Sequence, residues 1–242
     1  MATREFHVAA FGYNTCILCY WLSMNIPSEM NVNMPSITRC WWQYLTVWNM
    51  VFQHIYFIMC IVDDFLLRNT IRKDLFYVKE RLTLVRDILF QSLVLPLAMF
   101  VFAIFWMIFA CDRELVYPAA LDSVIPFWFN HLLHTVIVFL PWAEMLICRR
   151  AFDQRKLRFL CGLAVVAIYN CILIGAAYWQ GYWTYPLINL MTPVQRTAFF
   201  VILYSVYTMT YIIGCKANEK ICGMKTGCKM GAFRKEVRVK PQ

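Results

Sequence analysis

One stretch of the chain places polar side chains inside an otherwise apolar run. Residues 125–135 read Ile125-Pro126-Phe127-Trp128-Phe129-Asn130-His131-Leu132-Leu133-His134-Thr135. Polar groups are costly at membrane depth, so they usually face the interior of a helix bundle and mark a site. We expect the other half of that site in a second run, Tyr44-Leu45-Thr46-Val47-Trp48-Asn49.

The composition around this stretch is that of an integral membrane protein. Of 242 residues, 61% are hydrophobic, and the mean hydropathy is +0.55. Only 15% are charged, against roughly 25% in soluble domains. The net charge is +9, but the basic residues form short clusters between apolar runs, as membrane topology requires. We therefore expect one bundle in the membrane and no nucleic-acid partner.

Six apolar segments predict an all-α, multi-pass bundle of six transmembrane helices, because each is near the roughly 20 residues that a helix needs to cross the hydrocarbon. They are Val8–Met24, Tyr44–Val62, Ile88–Ala110, Pro126–Ile147, Phe159–Trp179 and Thr197–Gly214. The bundle is expected to occupy residues 1–214, and residues 215–242 are expected to form a basic cytosolic tail. Pro96 and Pro141 are expected as kinks whose freed backbone groups are satisfied by neighbouring helices.

The basic residues also predict the orientation. The N-terminus, the second loop, the fourth loop and the tail hold 20 of the 23 Lys and Arg residues. The positive-inside rule therefore places both termini in the cytosol. The second loop, from Arg68 to Leu82, alternates basic and apolar residues. It is interpreted either as a short amphipathic helix at the membrane surface or as a cytosolic extension of spans two and three.

The polar residues of spans two and four fall at helical spacing. Thr46, Asn49 and Gln53 form one stripe, while Asn130 with His134 and His131 with Thr135 lie four residues apart. Thr46 and His134 should differ in depth by only about 4–5 Å, at about 1.5 Å per residue. Side-chain contact at that depth would make a nucleophile–base pair, with Asn130 fixing the histidine tautomer. The alternative is structural: a threonine that bonds its own helix and histidines that join helices.

Other groups receive plainer interpretations. His54, His131 and His134 lack a clear carboxylate or cysteine partner, so neither a metal nor a cofactor is expected. Asp63, Asp64 and Glu144 are expected as solvated or Arg-paired carboxylates at cytosolic ends of spans. Cys40 and Cys111 are candidates for a disulfide. Cys215, Cys222 and Cys228 are interpreted as palmitoylated or reduced thiols of the tail.

The chain resembles the family of androgen-induced protein and androgen-dependent TFPI-regulating protein. The resemblance covers nearly the whole chain up to the tail, and Asp-Arg-Glu-x-x-Tyr-Pro followed by Asn-His-x-x-His-Thr is its most specific part. The residues that carry it are Met34-Pro35-Ser36, Tyr44-Leu45-Thr46, Leu84-Val85-Arg86-Asp87, Phe105-Trp106, Asp112-Arg113-Glu114-Leu115-Val116-Tyr117-Pro118, Leu121-Asp122, Ile125-Pro126, Asn130-His131-Leu132-Leu133-His134-Thr135 and Trp183-Thr184-Tyr185-Pro186.

This resemblance implies a six-span enzyme that hydrolyses fatty acid esters of hydroxy fatty acids (FAHFAs) inside an endomembrane, such as the endoplasmic reticulum, or the plasma membrane. By motif position, Thr46 is the implied nucleophile and His134 the implied base. The pair Trp41-Trp42 and the pair Leu132-Leu133 depart from the family pattern, which bears on acyl-chain preference.

Further roles follow from the residues of this implied site. Asn49, Asn130 and nearby tyrosines are candidate oxyanion donors, and His131 more simply joins helices. Arg113 is a candidate for the substrate carboxylate, with pairing to Asp112, Glu114 or Asp122 as its alternative. The rival function is a non-enzymatic membrane regulator or scaffold, and a small transporter is a third candidate.

Overall fold

The structure is a computed structural model that describes residues 2–24, 40–68, 73–148 and 154–223. Within these ranges every regular element is helical. Several features of the sequence analysis lie outside them: Met34-Pro35-Ser36, Arg39, Arg72, Arg149, Arg150, Cys228 and most of the basic tail.

Nine α-helices follow one another along the described residues. They are α1 (Ala2–Ser23), α2 (Leu45–Arg68), α3 (Lys73–Leu89), α4 (Leu95–Cys111), α5 (Phe127–His131), α6 (Ile137–Ile147), α7 (Arg155–Gln180), α8 (Pro186–Asn189) and α9 (Pro193–Gly223). Two π-helical turns join neighbouring helices, Phe90–Val94 between α3 and α4 and Leu132–Val136 between α5 and α6. Short 3₁₀ turns lie at Trp41–Gln43, Arg113–Leu115 and Ala119–Ser123.

The described residues are all-helical, as predicted, and five helical stretches are long and apolar enough to cross a membrane. They are Leu45–Phe65, Tyr77–Cys111, Phe127–Ile147, Arg155–Gln180 and Pro193–Cys222. The remaining predicted span corresponds to α1, which is 22 residues long but is not among these five. It packs on α2 through Phe6 and Phe57, whose rings meet edge to face.

Two prolines leave backbone carbonyls free, and side chains from other helices satisfy both. Proline has no N–H to donate to the carbonyl four residues earlier. Before Pro96 that carbonyl belongs to Ser92, and it accepts the hydroxyl of Tyr207 at 2.6 Å. Before Pro141 it belongs to Ile137, which accepts Gln53 Nε2 at 3.0 Å. Gln53, the last residue of the polar stripe of α2, therefore has a structural role. Neighbouring helices satisfy the carbonyls freed by both prolines, as predicted for a membrane bundle.

The two described ends of the chain lie at the same end of the bundle. His7, in the first two turns of α1, bonds Asp64 near the end of α2 and Glu144 in α6. Arg155 at the start of α7 forms an ion pair with Glu219 near the end of α9. The basic second loop belongs to this end, because residues 77–89 continue as helix into the third span. For these residues the helical extension, rather than a separate surface helix, is the correct interpretation.

Of the two interpretations of the tail cysteines, the reduced thiol is the one that the structure supports for Cys215. The last helix continues past the predicted end at Gly214 to Gly223, so Cys215 lies within it and is buried. Its side chain contacts Gln91 Nε2 at 3.8 Å, so acylation of Cys215 is excluded by burial. Cys40 and Cys111 are both free thiols rather than a disulfide.

Candidate active site

Thr46 and His134 meet at the end of the bundle opposite the chain ends. Thr46 Oγ1 lies 3.2 Å from His134 Nε2. Several other threonines bond the carbonyl four residues earlier, as Thr15 does to Phe11 and Thr208 to Tyr204. Thr46 is the second residue of α2, and the carbonyl four residues before it accepts Trp48 Nε1. Unlike these threonines, Thr46 bonds a side chain of another helical segment rather than a carbonyl of its own helix.

The imidazole of His134 is held in one tautomer by its own helix. Its Nδ1 lies 3.1 Å from the backbone carbonyl oxygen of Asn130. A carbonyl only accepts, so Nδ1 carries the proton and the lone pair of Nε2 faces Thr46. Asn130 thus fixes the tautomer, as predicted from the spacing, but it does so through its backbone rather than its side chain.

Two features fix the plane of the His134 ring. His134 lies in the π-helical turn Leu132–Val136, an irregularity that is frequent at functional sites. Phe105 of α4 stacks on the imidazole with ring centroids 3.5 Å apart and an angle of 11° between the planes. Phe105 carries no polar signal that would predict a role in the site, although Phe105-Trp106 is among the residues of the family resemblance.

Both candidate oxyanion asparagines are buried, and their side-chain amides have no hydrogen-bond partner among the described residues. An unpartnered buried amide is costly and calls for an explanation. Asn130 lines a cavity together with Thr46 and His134, whereas Asn49 lines neither of the cavities described below. The amide of Asn130 is therefore available to a group in the cavity, whereas that of Asn49 lies outside both cavities.

A hydrogen-bonded network anchors the start of α2 beside Thr46. The backbone N–H of Leu45 donates to Tyr185 Oη at 3.1 Å. Tyr169 donates to the carbonyl of Gln43 at 2.8 Å and lies 3.1 Å from Tyr185 Oη. Burial raises the pKa of Tyr185, so it stays a neutral phenol. This network keeps Thr46 at the positive end of the α2 dipole, where negative charge is favoured.

His131 supports the structure rather than the Thr46–His134 pair. Its ring stacks on Trp106 with centroids 4.9 Å apart, and its Nδ1 lies 3.0 Å from Thr135 Oγ1. Trp106 Nε1 donates to the same hydroxyl at 3.0 Å. His131 thus joins its helix to α4, as the plainer interpretation expected.

Arg113 pairs within its own loop. Its Nη2 lies 2.8 Å from Asp122 Oδ1, its Nε donates to the carbonyl of Tyr117 at 3.3 Å, and the ion pair with Asp122 raises the pKa of Arg113. The guanidinium also lies 5.5 Å from the ring centre of Phe109. Arg113 lines neither of the two cavities described below. The structure therefore supports the alternative given for Arg113, pairing with Asp122, over contact with a substrate carboxylate.

Two apolar cavities meet at Thr46. The α7–α9 cavity encloses about 890 Å³ including its open mouth, and its walls include Leu97, Val166, Leu203 and Tyr207. The α1–α5 cavity encloses about 770 Å³, and its walls include Leu18, Trp21, Asn130 and Leu133. The residues that line both are Thr46, Phe105, Val116 and Tyr185. A ligand with an apolar chain in each cavity would therefore have the junction of its two chains beside Thr46.

Comparison with known proteins agrees with these features. A sequence model of the family described as FAR-17a/AIG1-like protein matches residues 8–219. The androgen-dependent TFPI-regulating protein of Homo sapiens is 34% identical over 222 residues, which cover 90% of this chain and 92% of that protein. That of Mesocricetus auratus is 34% identical over 181 residues, which cover 73% of this chain and 75% of that protein. The androgen-induced gene 1 protein of Homo sapiens is 28% identical over 212 residues, 85% of each chain. No solved structure matches the chain.

Proposed function

The chain belongs to the FAR-17a/AIG1-like protein family, and on that premise we propose that it is an intramembrane lipid esterase that hydrolyses FAHFAs. Thr46 is the nucleophile and His134 the general base. The observation that carries the proposal is the 3.2 Å contact between Thr46 Oγ1 and the unprotonated Nε2 of His134. A hydroxyl beside a base whose tautomer is fixed is the arrangement that nucleophilic ester cleavage needs.

The reaction proceeds in two steps. His134 Nε2 takes the proton of the Thr46 hydroxyl as Oγ1 attacks the ester carbonyl carbon, and the carbonyl oxygen becomes an oxyanion. When the oxyanion collapses, the ester C–O bond breaks, and His134 returns the proton to the departing oxygen of the hydroxy fatty acid. Water, deprotonated by His134, then attacks the acyl–Thr46 ester; the C–O bond to Thr46 breaks, His134 returns the proton to Oγ1, and the fatty acid is released. The carbonyl of Asn130 holds the imidazolium through Nδ1–H in both steps.

The oxyanion needs a donor, and the Asn130 amide is the best placed. It is buried and unpartnered in the described structure, and it lines the same cavity as Thr46 and His134. The positive end of the α2 dipole adds to the stabilisation of negative charge beside Thr46.

The two cavities support a substrate with two aliphatic arms. A FAHFA carries a fatty acyl chain on one side of its ester and, on the other side, the hydroxy fatty acid, whose chain branches at the ester oxygen. Thr46 lines both cavities, so an ester carbonyl at its hydroxyl can direct one arm into each. Both cavities are lined mainly by apolar side chains, which suits a substrate dissolved in the bilayer.

The proposed topology has six spans, with both termini in the cytosol. The 22 residues of α1 are about 33 Å long at about 1.5 Å per residue, enough to cross the hydrocarbon. The two described chain ends lie at the end of the bundle that holds the basic loops, as the positive-inside rule requires. The site then faces the extracytosolic half of an endomembrane or of the plasma membrane.

A second candidate function is that of a non-enzymatic membrane regulator. Relatives bear the name androgen-dependent TFPI-regulating protein, which describes regulation. Under this alternative, Thr46 and His134 only join α2 to the π-helical turn.

We expect membranes that contain the wild-type chain to release hydroxy fatty acid from a FAHFA faster than membranes without it. Leu203→Trp fills part of the α7–α9 cavity, and Leu18→Trp fills part of the α1–α5 cavity. Each variant should reject long chains on one arm of the substrate, and the two should reject opposite arms. The products of a panel of FAHFAs that differ in one arm at a time would be measured by mass spectrometry.

Wild-type membranes that are no more active than empty ones, at verified abundance, would contradict the proposal and leave the regulator as the better candidate. Identical chain preferences in both tryptophan variants would contradict the assignment of one arm to each cavity.

We expect Asn130→Leu to lower kcat by about 10²-fold or more, the usual cost of one oxyanion donor. The substitution removes the amide and keeps the backbone carbonyl that fixes His134. Asn49→Leu is the matched control, since Asn49 is equally buried and unpartnered among the described residues but lines neither cavity. Steady-state kinetics of both variants at matched abundance test this. Equal losses in the two variants would show that both asparagines act only through packing.

A further inference from the structure

A second polar cluster lies at the opposite end of the bundle from Thr46. Along α2, Cys60 is 14 residues beyond Thr46, a separation of about 21 Å. The cluster joins three helices. Its three residues in α2 are spaced four apart and so lie on one face of that helix, and its two residues at the end of α6 are also four apart. Its side chains are His7 from α1, Tyr56, Cys60 and Asp64 from α2, Glu144 from α6 and Cys148 directly after α6.

The centre of the cluster is buried, whereas Asp64 and Cys148 at its edge are partly exposed. Glu144 and Cys60 are fully buried, and His7 is 1% exposed. The prediction of Glu144 as a solvated or Arg-paired carboxylate is therefore wrong, because its ion-pair partner is His7. His7 precedes the first predicted span and received no role in the sequence analysis.

Three different ligand atoms of this cluster lie close together. One nitrogen, one sulfur and one oxygen from His7, Cys60 and Glu144 are all within 4.8 Å of one another. His7 Nε2 lies 3.0 Å from Glu144 Oε2, and Cys60 Sγ lies 4.0 Å from Glu144 Oε1. The ligand atoms around a tetrahedral Zn²⁺ are about 3.3–3.8 Å apart, given bonds of about 2.0–2.3 Å. The observed separations bracket that range.

Cys148 lies beside this group and is the nearest candidate for a fourth ligand, although it does not belong to the three residues whose ligand atoms are all within 4.8 Å of one another. Its Sγ lies 3.5 Å from His7 Nε2, the distance expected between a thiolate and an imidazole on one zinc ion. Two thiolates, an imidazole and a carboxylate form a set that favours Zn²⁺, whereas Mg²⁺ and Ca²⁺ prefer oxygen ligands alone.

Asp64 and Tyr56 form the outer layer that such a site needs. His7 Nδ1 lies 2.7 Å from Asp64 Oδ2, and the Tyr56 hydroxyl donates to Glu144 Oε1 at 2.6 Å. In metal sites, a carboxylate that accepts the second ring N–H of a histidine ligand fixes the tautomer and the orientation of its ring. Both ring nitrogens of His7 face carboxylates, and a neutral imidazole carries only one proton. The gap between Nε2 and Glu144 therefore requires a second proton or a metal ion.

We propose that His7, Cys60, Glu144 and Cys148 bind one Zn²⁺. Three of these ligand atoms already converge, and a turn of the Cys148 side chain towards them completes a closed set of four, which is characteristic of structural rather than catalytic zinc. The ion ties α1 to α2 and α6, and α1 is the predicted span that is not among the five most apolar ones. Zinc would thus hold the first helix in the bundle, independently of the proposed esterase activity.

The test is the metal content of the full chain purified in detergent from zinc-supplemented cells. We expect about one zinc per chain in the wild type and below about 0.2 in His7→Gln and Cys60→Ser, because each loses one ligand. Cys16→Ser is the matched control, since Cys16 is an exposed thiol; it should keep the wild-type zinc content. Elemental mass spectrometry measures the ratio, and X-ray absorption at the zinc edge should show sulfur, nitrogen and oxygen ligands.

Titration of the wild type with Co²⁺ tests for the metal site without any substitution, so its result does not depend on whether the variants fold. The wild type, stripped with a chelator and titrated with Co²⁺, should gain a thiolate-to-cobalt charge-transfer absorption that zinc then removes. A wild type that retains no zinc and shows no such absorption would overturn the proposal, and His7 would then be a protonated bridge between Asp64 and Glu144. Full zinc content in Cys60→Ser would overturn it as well.

Discussion

Thr46→Val should abolish FAHFA hydrolysis, with a fall in kcat of at least about 10³-fold, whereas Thr46→Ser should keep part of the activity. Valine has nearly the shape of threonine and keeps the β-branch, so packing at the start of α2 is preserved and only the hydroxyl is lost. Serine keeps the hydroxyl at the cost of one methyl group. His134→Ala should fall by a similar factor, because the base and the nucleophile act as a unit.

The contrast with another threonine makes this prediction specific. Thr208 donates to the carbonyl of Tyr204 at 2.8 Å, the ordinary use of a threonine in a membrane helix. Thr208→Val should therefore leave hydrolysis near the wild-type rate. Activity is measured as hydroxy fatty acid released per minute at matched protein abundance. Full activity in Thr46→Val would show that the hydroxyl is not the nucleophile.

The sequence could predict the polar residues of this site but not the geometry that positions them. Thr46 and His134 stood out because polar groups in an apolar run are costly and because both were expected at similar depth, but their roles came from the motif positions of the family resemblance. The π-helical turn at Leu132–Val136 could not be predicted from a pattern that assumes 3.6 residues per turn. The stacking of Phe105 on His134 was equally hidden, because a phenylalanine in an apolar span carries no signal of its own.

For the fold, the sequence likewise predicted the apolar centres of the helices but not their ends. Hydropathy located five membrane-spanning helices, since an apolar run of about 20 residues has few alternatives. It placed the end of the last helix at Gly214, where apolar residues give way to polar ones, whereas the helix continues to Gly223. It also began the first segment at Val8, one residue after His7, because a histidine lowers the mean hydropathy of a window. Buried polar residues at helix ends, such as His7 and Glu144, are therefore the ones that such a pattern misses.

Gly162→Ala should destabilise the protein by about 3 kcal/mol, the sum of overpacking and a lost buried hydrogen bond. A Cβ at Gly162 would fall on the hydroxyl of Tyr207 and lie 2.5 Å from the carbonyl oxygen of Ser92. These two atoms form the hydrogen bond that satisfies the carbonyl freed by Pro96. The methyl group must therefore move α7 away from the π-helical turn or break that bond.

Gly175→Ala on the same helix separates this clash from the general effect of alanine. No atom lies within 4 Å of a Cβ at Gly175, so the higher helix propensity of alanine should leave the protein equally stable or stabilise it by up to about 1 kcal/mol. Thermal unfolding of both variants in the same detergent measures the difference. Because Tyr207 also lines the α7–α9 cavity, Gly162→Ala should change arm preference as well as stability. Equal stability of the two variants would mean that α7 packs on the Phe90–Val94 turn less closely than the structure indicates.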